Sequence, residues 1–374
     1  MPAVLLAGVM RQIAASVVAL AAAALFGCDD APLPRGAPQD AGLTGAAGYA
    51  VPPPGGPDAG APIAVDDTDA GPSCAGVPRT CGPGANESCC GSPFVLGGTY
   101  SRGYDFAGTN GSNLRHATVS SFRLDRFEVT VGRFRKFVAA WNAGWRPDYG
   151  SGKHVHLRGG DGLFSMSMFM FEQGWSTLWA DDVAPTDTNL LCNAGYATWT
   201  PSPGASETRP INCVNWFEAY AFCIWDGGFL PSEAEWNFAA AAGDELRPYP
   251  WVAPGSPTTI DCSHANYFPS TYCSAGGANP VGSESPLGDG KFAQADLTGN
   301  VWEWMFDWSG SLATECDDCA NLPSDGFGPR GVIHGGGFDT AAADALVYLR
   351  NADVSLSGRG TGNLGVRCAR PPSH

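Results

Sequence analysis

Apolar side chains recur at helical spacing in the segment that follows Thr130. The positions that share one helical face are Val131, Phe134, Phe137, Val138 and Trp141. Thr130 directly precedes them, and a threonine hydroxyl can cap the N-terminus of a helix. The pattern therefore predicts a helix that begins after Thr130 and buries one face.

Two further helices are predicted from the residues of their first turns. Asn215 is followed three residues later by Glu218, and Ser232 is followed by Glu235, which is the spacing of a capping box. We expect the first of these helices to end at Gly227 and the second to stop at Gly243. The first helix carries Trp216, Ala219, Tyr220 and Cys223, and the second carries Trp236.

The rest of the apolar pattern consists of short runs. Residues 121–129 form one run and predict a strand. Elsewhere glycine and proline, with 50 and 30 residues, interrupt the apolar stretches. No long amphipathic pattern and no alternation of strands with helices is found. We therefore predict an α+β fold with much irregular structure.

Composition divides the chain into a linker and a folded domain. Residues 31–73 contain 27 Pro, Gly or Ala among 43 residues, so we expect a disordered linker over 28–73. All 12 tryptophans lie between Trp141 and Trp308. We predict one compact domain over 91–371.

A small cysteine-rich segment, 74–90, is expected between the linker and the domain. The adjacent Cys89 and Cys90 are expected to bond outward to Cys74 and Cys81 rather than to each other. A zinc site is the alternative, but no histidine lies nearby. The 13 cysteines of the chain together indicate an oxidising compartment.

The N-terminal segment predicts export and lipid attachment. An uncharged run ends in Leu25-Phe26-Gly27-Cys28, which resembles the lipobox of bacterial lipoproteins. We expect residues 1–27 to be a signal peptide and Cys28 to be the lipidated N-terminus, which would anchor the protein to a membrane of the cell envelope. The alternative is an ordinary cleaved signal peptide with an incidental cysteine. Without Cys28, 12 cysteines remain, an even number that allows full pairing.

The charge balance excludes one class of partner. The net charge is −16, and lysine occurs only three times. No basic patch is available to neutralise phosphates, so we expect no nucleic-acid binding.

Two short motifs can bear metal or redox chemistry. We interpret Cys316-x-x-Cys319 as a structural or loop-closing disulfide rather than as a redox pair or half of a metal site. His154 and His156 alternate and could chelate zinc as a pair. Because no third ligand is evident, we interpret both histidines as surface residues.

Alternating methionines form a third candidate. Met166, Met168 and Met170 could hold copper(I) through their thioethers. We prefer the interpretation that this segment packs in a core, where methionine fills gaps.

Five segments, in this order, resemble one family. They are Pro210-Ile-Asn-Cys-Val-Asn-Trp216, Ala221 to Trp225 with Leu230 to Trp236, Leu297-Thr-Gly-Asn-Val-Trp-Glu-Trp304, Gly335-Gly-Gly-Phe338 and Asn363-Leu-Gly-Val-Arg-Cys368. Their order and spacing resemble the formylglycine-generating enzyme, or sulfatase-modifying factor, family. The resemblance implies a large variant of the C-type-lectin-like fold with bound calcium.

The resemblance also shows where this chain departs from the family. Members that oxidise a sulfatase cysteine use two thiols, five residues apart, that bind copper(I). The matching positions here are Thr340 and Ala345, and Gly337 replaces the serine of the preceding Gly-Gly-Ser segment. The resemblance therefore does not extend to a copper site or to the known oxidase chemistry.

The resemblance implies a structural calcium site. The matching ligands are the side chains of Asp296 and Glu303 and the carbonyls of Gly299 and Val301. Such mixed oxygen donors suit calcium. The alternative is that Asp296 only begins a turn and that Glu303 pairs with an arginine.

A disulfide between Cys223 and Cys368 is also implied by the resemblance. Local pairs such as Cys192–Cys213 and Cys262–Cys273 are expected from their proximity in the chain.

Together these features predict an envelope-anchored protein whose domain is a non-catalytic binding or structural module. A peptide or a glycan is the expected class of ligand. The alternative is an enzyme, either a formylglycine-generating oxidase with relocated cysteines or one with different chemistry.

Overall fold

The computed structural model describes residues 71–104, 115–274, 276–322 and 330–372. Four α-helices lie in these ranges: α1 (Val131–Asn142), α2 (Asp187–Leu190), α3 (Trp216–Trp225) and α4 (Glu233–Ala240). The described strands are β1 (Phe94–Val95), β2 (Gly98–Arg102), β3 (Arg115–Val119), β4 (Phe122–Leu124), β5 (Phe164–Ser165), β6 (Met170–Phe171), β7 (Trp302–Trp308), β8 (Glu315–Asp317), β9 (Arg330–His334), β10 (Asn351–Ser355), β11 (Leu364–Gly365) and β12 (Ala369–Arg370). Helices and strands are thus mixed, and much of the backbone between them is irregular.

The described strands form small separate sheets. The largest has the order β10-β9-β7-β11, in which β11 runs parallel to β7 and the other neighbours are antiparallel. Two three-stranded sheets have the orders β1-β4-β12 and β2-β3-β8, and β5 and β6 form a hairpin. β4 lies between β1 and β12, so the first and last described strands belong to the same sheet.

The helix starts predicted from sequence are confirmed. Thr130 caps α1 by accepting from the Arg133 amide, and both capping boxes are present at Asn215 and Ser232. α4 ends at Ala240, three residues before the predicted stop, because Ala242 takes a left-handed conformation with φ of 60°.

The strand predicted over 121–129 is shorter than expected. Only β4 is regular, and the chain then leaves the sheet while its amides bond to the C-terminal segment. The Asp125 amide donates to the Cys368 carbonyl at 2.9 Å, and the Val129 amide donates to the Val366 carbonyl at 2.8 Å. These residues are buried, so apolar periodicity could not separate them from a strand.

Two large apolar cores support the domain. The first contains α1 and α3, whose Phe134 and Phe222 rings stack with centroids 5.6 Å apart. The second lies between α4 and the β2-β3-β8 sheet and contains the buried Trp236. Beside the first core, Arg133 is fully buried and pairs with Asp125 at 3.1 Å and Asp226 at 2.7 Å.

Twelve cysteines form six disulfides. The pairs are Cys74–Cys90, Cys81–Cys89, Cys192–Cys213, Cys223–Cys368, Cys262–Cys273 and Cys316–Cys319. The predicted outward pairing of Cys89 and Cys90, the two local pairs and the long-range pair are therefore present. Cys28 lies outside the described residues.

The folded structure begins before the predicted end of the linker. Ser73 is buried, its amide donates to Asp226 at 2.9 Å, and its hydroxyl accepts from Arg133 at 2.9 Å. The cysteine-rich segment is joined to the domain in the same way, because Arg133 also donates to the Cys89 carbonyl at 3.2 Å. Most of the predicted linker and the predicted signal peptide lie outside the described residues. No helix within the described ranges is long and apolar enough to cross a membrane.

Candidate functional site

Two openings on the surface of the domain have volumes of about 420 and 630 Å³. The larger of these two lies where the C-terminal loops meet. Its walls include Trp302 at the start of β7, the turn after β9 and Asn363 before β11. The Trp302 amide donates to the Asn363 carbonyl at 2.8 Å, which ties two of these walls together. We refer to this opening as the Thr340 cleft.

The turn after β9 brings Thr340 and Ala345 together. Gly336 has φ of 77°, and a Cβ atom placed on it would lie 3.2 Å from the Thr340 methyl and 3.2 Å from the Ala345 methyl. Two side chains that flank the same glycine in this way are close neighbours. The positions that the resemblance assigns to the two thiols therefore meet beside the cleft.

Neither position can supply a thiolate ligand. The Thr340 hydroxyl accepts from the Gly337 amide at 2.8 Å and so stabilises the turn. Ala345 is buried. Every cysteine in the described part of the chain belongs to a disulfide, so none of them offers a free thiol to copper(I).

Polar side chains line the rest of the Thr340 cleft. Asp339 accepts from the Asn363 amide group with both carboxylate oxygens, at 3.1 and 3.0 Å. Asp344 and Arg350 also border the opening. The Arg350 guanidinium lies 2.8 Å from Glu233. The cleft thus combines an indole with carboxylate and amide groups, a set that can both donate and accept hydrogen bonds.

The four residues of the predicted calcium site lie on one turn and the start of β7. Asp296 has φ of 58° and is buried, and its carboxylate accepts from the Gly282 amide at 2.6 Å. Burial, followed by the nearby Glu284, raises the pKa of Asp296 to about 7. A buried carboxylate beside another acid is the environment that a bound cation would relieve.

Glu303 is held by protein partners. The Arg367 guanidinium donates to it at 2.7 Å, and the Trp236 indole donates to it at 2.6 Å. Glu303 therefore pairs with an arginine, as in the alternative to calcium binding given in the sequence analysis. These contacts direct both carboxylate oxygens toward Arg367 and Trp236.

Glu128 is an acid that the sequence analysis missed. It is fully buried, and it accepts from the Asn300 amide group at 2.7 Å and the Val301 amide at 3.2 Å. Burial, together with Asp296 and Glu303, raises its pKa well above the usual range. Glu128 lies in the run 121–129, which was interpreted as a strand. That pattern gave no signal of a contact with Asn300, 172 residues later in the chain.

Arg367 is in contact with Glu303, and the buried Glu128 and Asp296 lie near enough to raise its pKa further. No group of three or more His, Cys, Asp or Glu side chains is arranged as a metal site within the described ranges. A calcium ion would therefore depend on the carbonyls of Gly299 and Val301 in addition to Asp296.

Two other sequence interpretations were wrong. His154 is not a surface residue: it is fully buried between Glu172 and Glu235, each 3.1 Å away. Met166 and Met168 do not pack in a core, because they are 43% and 39% exposed, whereas Met170 packs against the first core as expected. The exposed methionines lie at the tip of the β5-β6 hairpin, where a turn projects the side chains outward.

Comparison with known proteins places this geometry in a family. The sequence model of the sulfatase-modifying factor enzyme 1-like domain matches residues 79–372. A formylglycine-generating enzyme of Streptomyces coelicolor is 27% identical over 303 residues, which cover 75% of this chain and 87% of that protein. The inactive C-alpha-formylglycine-generating enzyme 2 of Bos taurus is 30% identical over 224 residues, which cover 56% of this chain and 67% of that protein.

A solved structure has a similar fold. PvdO from Pseudomonas aeruginosa superposes with a TM-score of 0.50 at 21% identity, covering 75% of this chain and 93% of that one. Because the sequence match spans the cleft, the buried acids and the closing disulfide together, the chain belongs to the sulfatase-modifying factor enzyme 1-like domain family.

Proposed function

We propose that this protein is a lipid-anchored envelope protein whose domain binds a ligand in the Thr340 cleft and does not oxidise sulfatase cysteines. The observation that carries the proposal is the juxtaposition of Thr340 and Ala345 beside the cleft, with no thiol at either position. Function depends on the groups in a site rather than on the fold that holds them. The bovine relative that is named inactive is compatible with this proposal.

Restoring the thiols tests the loss of oxidase chemistry. The double variant Thr340→Cys with Ala345→Cys should gain copper(I) affinity, because two thiolates suit that soft ion. Copper binding is measured by competition with a chromophoric chelator, with Thr340→Ser and Ala345→Ser as the matched control. The unaltered protein should give no formylglycine when it is incubated with a cysteine-containing sulfatase peptide, copper(I) and oxygen. Product from the unaltered protein, detected by mass spectrometry, would overturn the proposal.

A neutral glycan is the ligand that the Thr340 cleft fits best. The indole of Trp302 offers an apolar face, and the Asp339–Asn363 pair offers acceptors and a donor for hydroxyl groups. A net charge of −16 disfavours a polyanionic glycan. The cleft volume of about 630 Å³ is within the range of small-ligand sites.

Retention on a panel of neutral polysaccharides tests this ligand class. Trp302→Ala and Asp339→Asn should each weaken retention, whereas Trp251→Ala, a half-buried tryptophan outside the cleft, should leave it unchanged. Binding of peptides in place of glycans would contradict the ligand class but not the absence of oxidase activity.

The proposal includes a structural calcium ion at the turn that carries Asp296. The excess of buried carboxylates over guanidinium groups around Arg367 supports it. Asp296, with the carbonyls of Gly299 and Val301, would hold the ion, and Glu303 would remain paired with Arg367. Calcium would supply compensating charge to the buried acids and no reaction chemistry.

A further inference from the structure

Two tyrosines lie close together on the surface beside the Thr340 cleft. The hydroxyl oxygens of Tyr196 and Tyr272 are 3.3 Å apart, and the centroids of their rings are 6.3 Å apart. Tyr272 is 40% exposed, and neither tyrosine lines the cleft itself. We refer to this pair as the tyrosine shelf. The function proposed above makes no use of it.

Phe268 and Asp339 connect the shelf with the cleft, because both residues line the cleft. The centroid of the Phe268 ring lies 4.9 Å from that of Tyr272, and the Phe268 amide donates to the Thr340 carbonyl at 2.9 Å. The hydrogen bond to Tyr196 raises the pKa of the Tyr272 hydroxyl, and the nearby Asp339 carboxylate raises it further. A ligand that extends from the cleft past Phe268 therefore reaches the shelf.

The shelf is held in place by the structure around it. The loop that carries Tyr272 is closed by the Cys262–Cys273 disulfide. The buried Asn212 side chain donates to the Tyr196 carbonyl at 2.9 Å. The buried Phe338 ring packs against both tyrosines, with its centroid 5.2 Å from Tyr196 and 6.3 Å from Tyr272. A surface that is already ordered loses less conformational entropy when a ligand binds.

The chemistry of the shelf suits an uncharged sugar unit. Each tyrosine combines an apolar ring face with a hydroxyl, and a sugar likewise combines apolar C–H faces with hydroxyl groups. A tyrosine hydroxyl can both donate and accept, so the single bond between the two tyrosines leaves capacity for a ligand. The neighbouring Asp339 carboxylate disfavours an anionic occupant. An aliphatic peptide side chain would use the ring faces but not the hydroxyls.

We propose that the tyrosine shelf is a second subsite, which binds the sugar unit next to the one held in the Thr340 cleft. This inference rests on the proposed function, because it requires a neutral glycan in the cleft. One chain of sugars would then contact Trp302, Phe268 and Tyr272. The protein should therefore select oligosaccharides over single sugars, since only a chain gains contacts at both subsites.

Binding to sugars of increasing length tests the second subsite. The probes are glucose, mannose and N-acetylglucosamine, each with its β-1,4-linked disaccharide and tetrasaccharide. Isothermal titration calorimetry with the full chain gives Kd, and the single sugars are measured as competitors of the tetrasaccharide. The tetrasaccharide of the preferred sugar should bind about tenfold more tightly than the single sugar, which is the scale of one added aromatic contact. Equal affinity for the two lengths would overturn the second subsite.

Variants of the shelf separate a subsite from a structural contact between loops. Tyr272→Ala should weaken binding of the tetrasaccharide about tenfold and leave the affinity for the single sugar unchanged, because the cleft is intact. Tyr272→Phe keeps the ring and should retain most of the preference for length. Tyr149→Ala is the matched control, at a tyrosine that is 69% exposed and does not line the cleft. A melting curve checks that each variant is folded. Equal effects of Tyr272→Ala on both lengths, or no effect, would exclude a subsite at the shelf.

The same measurements distinguish failure of this inference from failure of the proposed function. If neither these probes nor the polysaccharide panel binds, the ligand class is wrong and the second subsite fails with it. If Trp302→Ala weakens binding at every length while Tyr272→Ala changes none, the cleft binds glycans and only the shelf is excluded. An uncharged apolar hexapeptide that binds the unaltered protein but not Tyr272→Ala would assign the shelf to polypeptides and overturn the sugar subsite.

Discussion

His154 is a charged residue in the interior of the domain. Burial disfavours its charge, but Glu172 and Glu235 outweigh burial and raise its pKa to about 10. His156, two residues later, has neither ring nitrogen hydrogen-bonded among the described residues, and burial lowers its pKa. Two histidines of one short segment thus have opposite electrostatic environments.

Replacing these histidines should have unequal effects on stability. His154→Gln removes the cation between two buried carboxylates, and we expect a loss of about 3–5 kcal/mol in the free energy of unfolding. His156→Gln, the matched control, breaks no hydrogen bond of the described structure, and we expect a loss of about 1 kcal/mol. Urea unfolding measures both. Equal losses would contradict the role assigned to His154.

The same pair of variants tests the pH dependence. Since the pKa of His154 is raised in the folded state, its stabilisation is fully present below the unfolded pKa of about 6.5 and is lost as pH rises toward about 10. The stability difference between the unaltered protein and His154→Gln should therefore shrink between pH 7 and pH 10. A difference that grows over this range would have the wrong sign.

At the scale of elements, the helix starts are governed by local chemistry. In α4 the Ser232 hydroxyl accepts from the Glu235 amide at 3.2 Å, while the Glu235 carboxylate accepts from the Ser232 amide at 2.8 Å. These bonds involve residues three apart, so the sequence was sufficient to predict them.

Ser232→Ala should lower the free energy of unfolding by about 1–2 kcal/mol, because it removes a buried cap. Thr186→Ala, which removes the cap of the four-residue α2, is the control and should cost less, since Thr186 itself is exposed. Thermal unfolding monitored by circular dichroism compares the two. A larger effect at Thr186 would indicate that local capping at α4 is not a source of stability.

The turn that carries Asp296 should respond to chelation. Calcium bound only to the folded state raises stability by mass action, so EDTA should lower Tm. Asp296→Asn should abolish this sensitivity. Glu303→Gln should lower stability both with and without calcium, because Arg367 loses its partner. If EDTA leaves Tm unchanged in the unaltered protein, the calcium proposal fails.

At the scale of the whole molecule, one disulfide closes the domain. Cys223 in α3 is bonded to Cys368, 145 residues later, next to β12. On the chain-entropy model a loop of that length contributes on the order of 5 kcal/mol. The double variant Cys223→Ala with Cys368→Ala should therefore lose more stability than Cys262→Ala with Cys273→Ala, whose loop spans 11 residues. Urea unfolding compares the two pairs, and the reverse order would argue against loop closure as the dominant effect.

Membrane attachment is the other property of the whole chain that the sequence predicts. Dual acylation at Cys28 would give stable anchoring. Cys28→Ser should move the protein from the membrane fraction to the soluble fraction, with Cys28→Ala giving the same result. Unchanged partitioning would contradict lipid anchoring at this residue.

The chain's local chemistry determined the helix starts and the short-range disulfides. These features depend on residues that lie close together in sequence. The family resemblance predicted the long-range disulfide Cys223–Cys368. It also identified Thr340 and Ala345 as the positions of the missing thiols. The periodicity of apolar residues indicates neither.

Only the tertiary structure decided which distant groups share an environment. It placed Glu128 beside the turn of Asp296, enclosed His154 between two glutamates and set Arg102 against Cys319. Electrostatic energy depends on distance and burial, neither of which can be read from residue spacing when the intervening chain is irregular. For the same physical reason, the methionine hairpin could not be identified as exposed until its backbone turn was known.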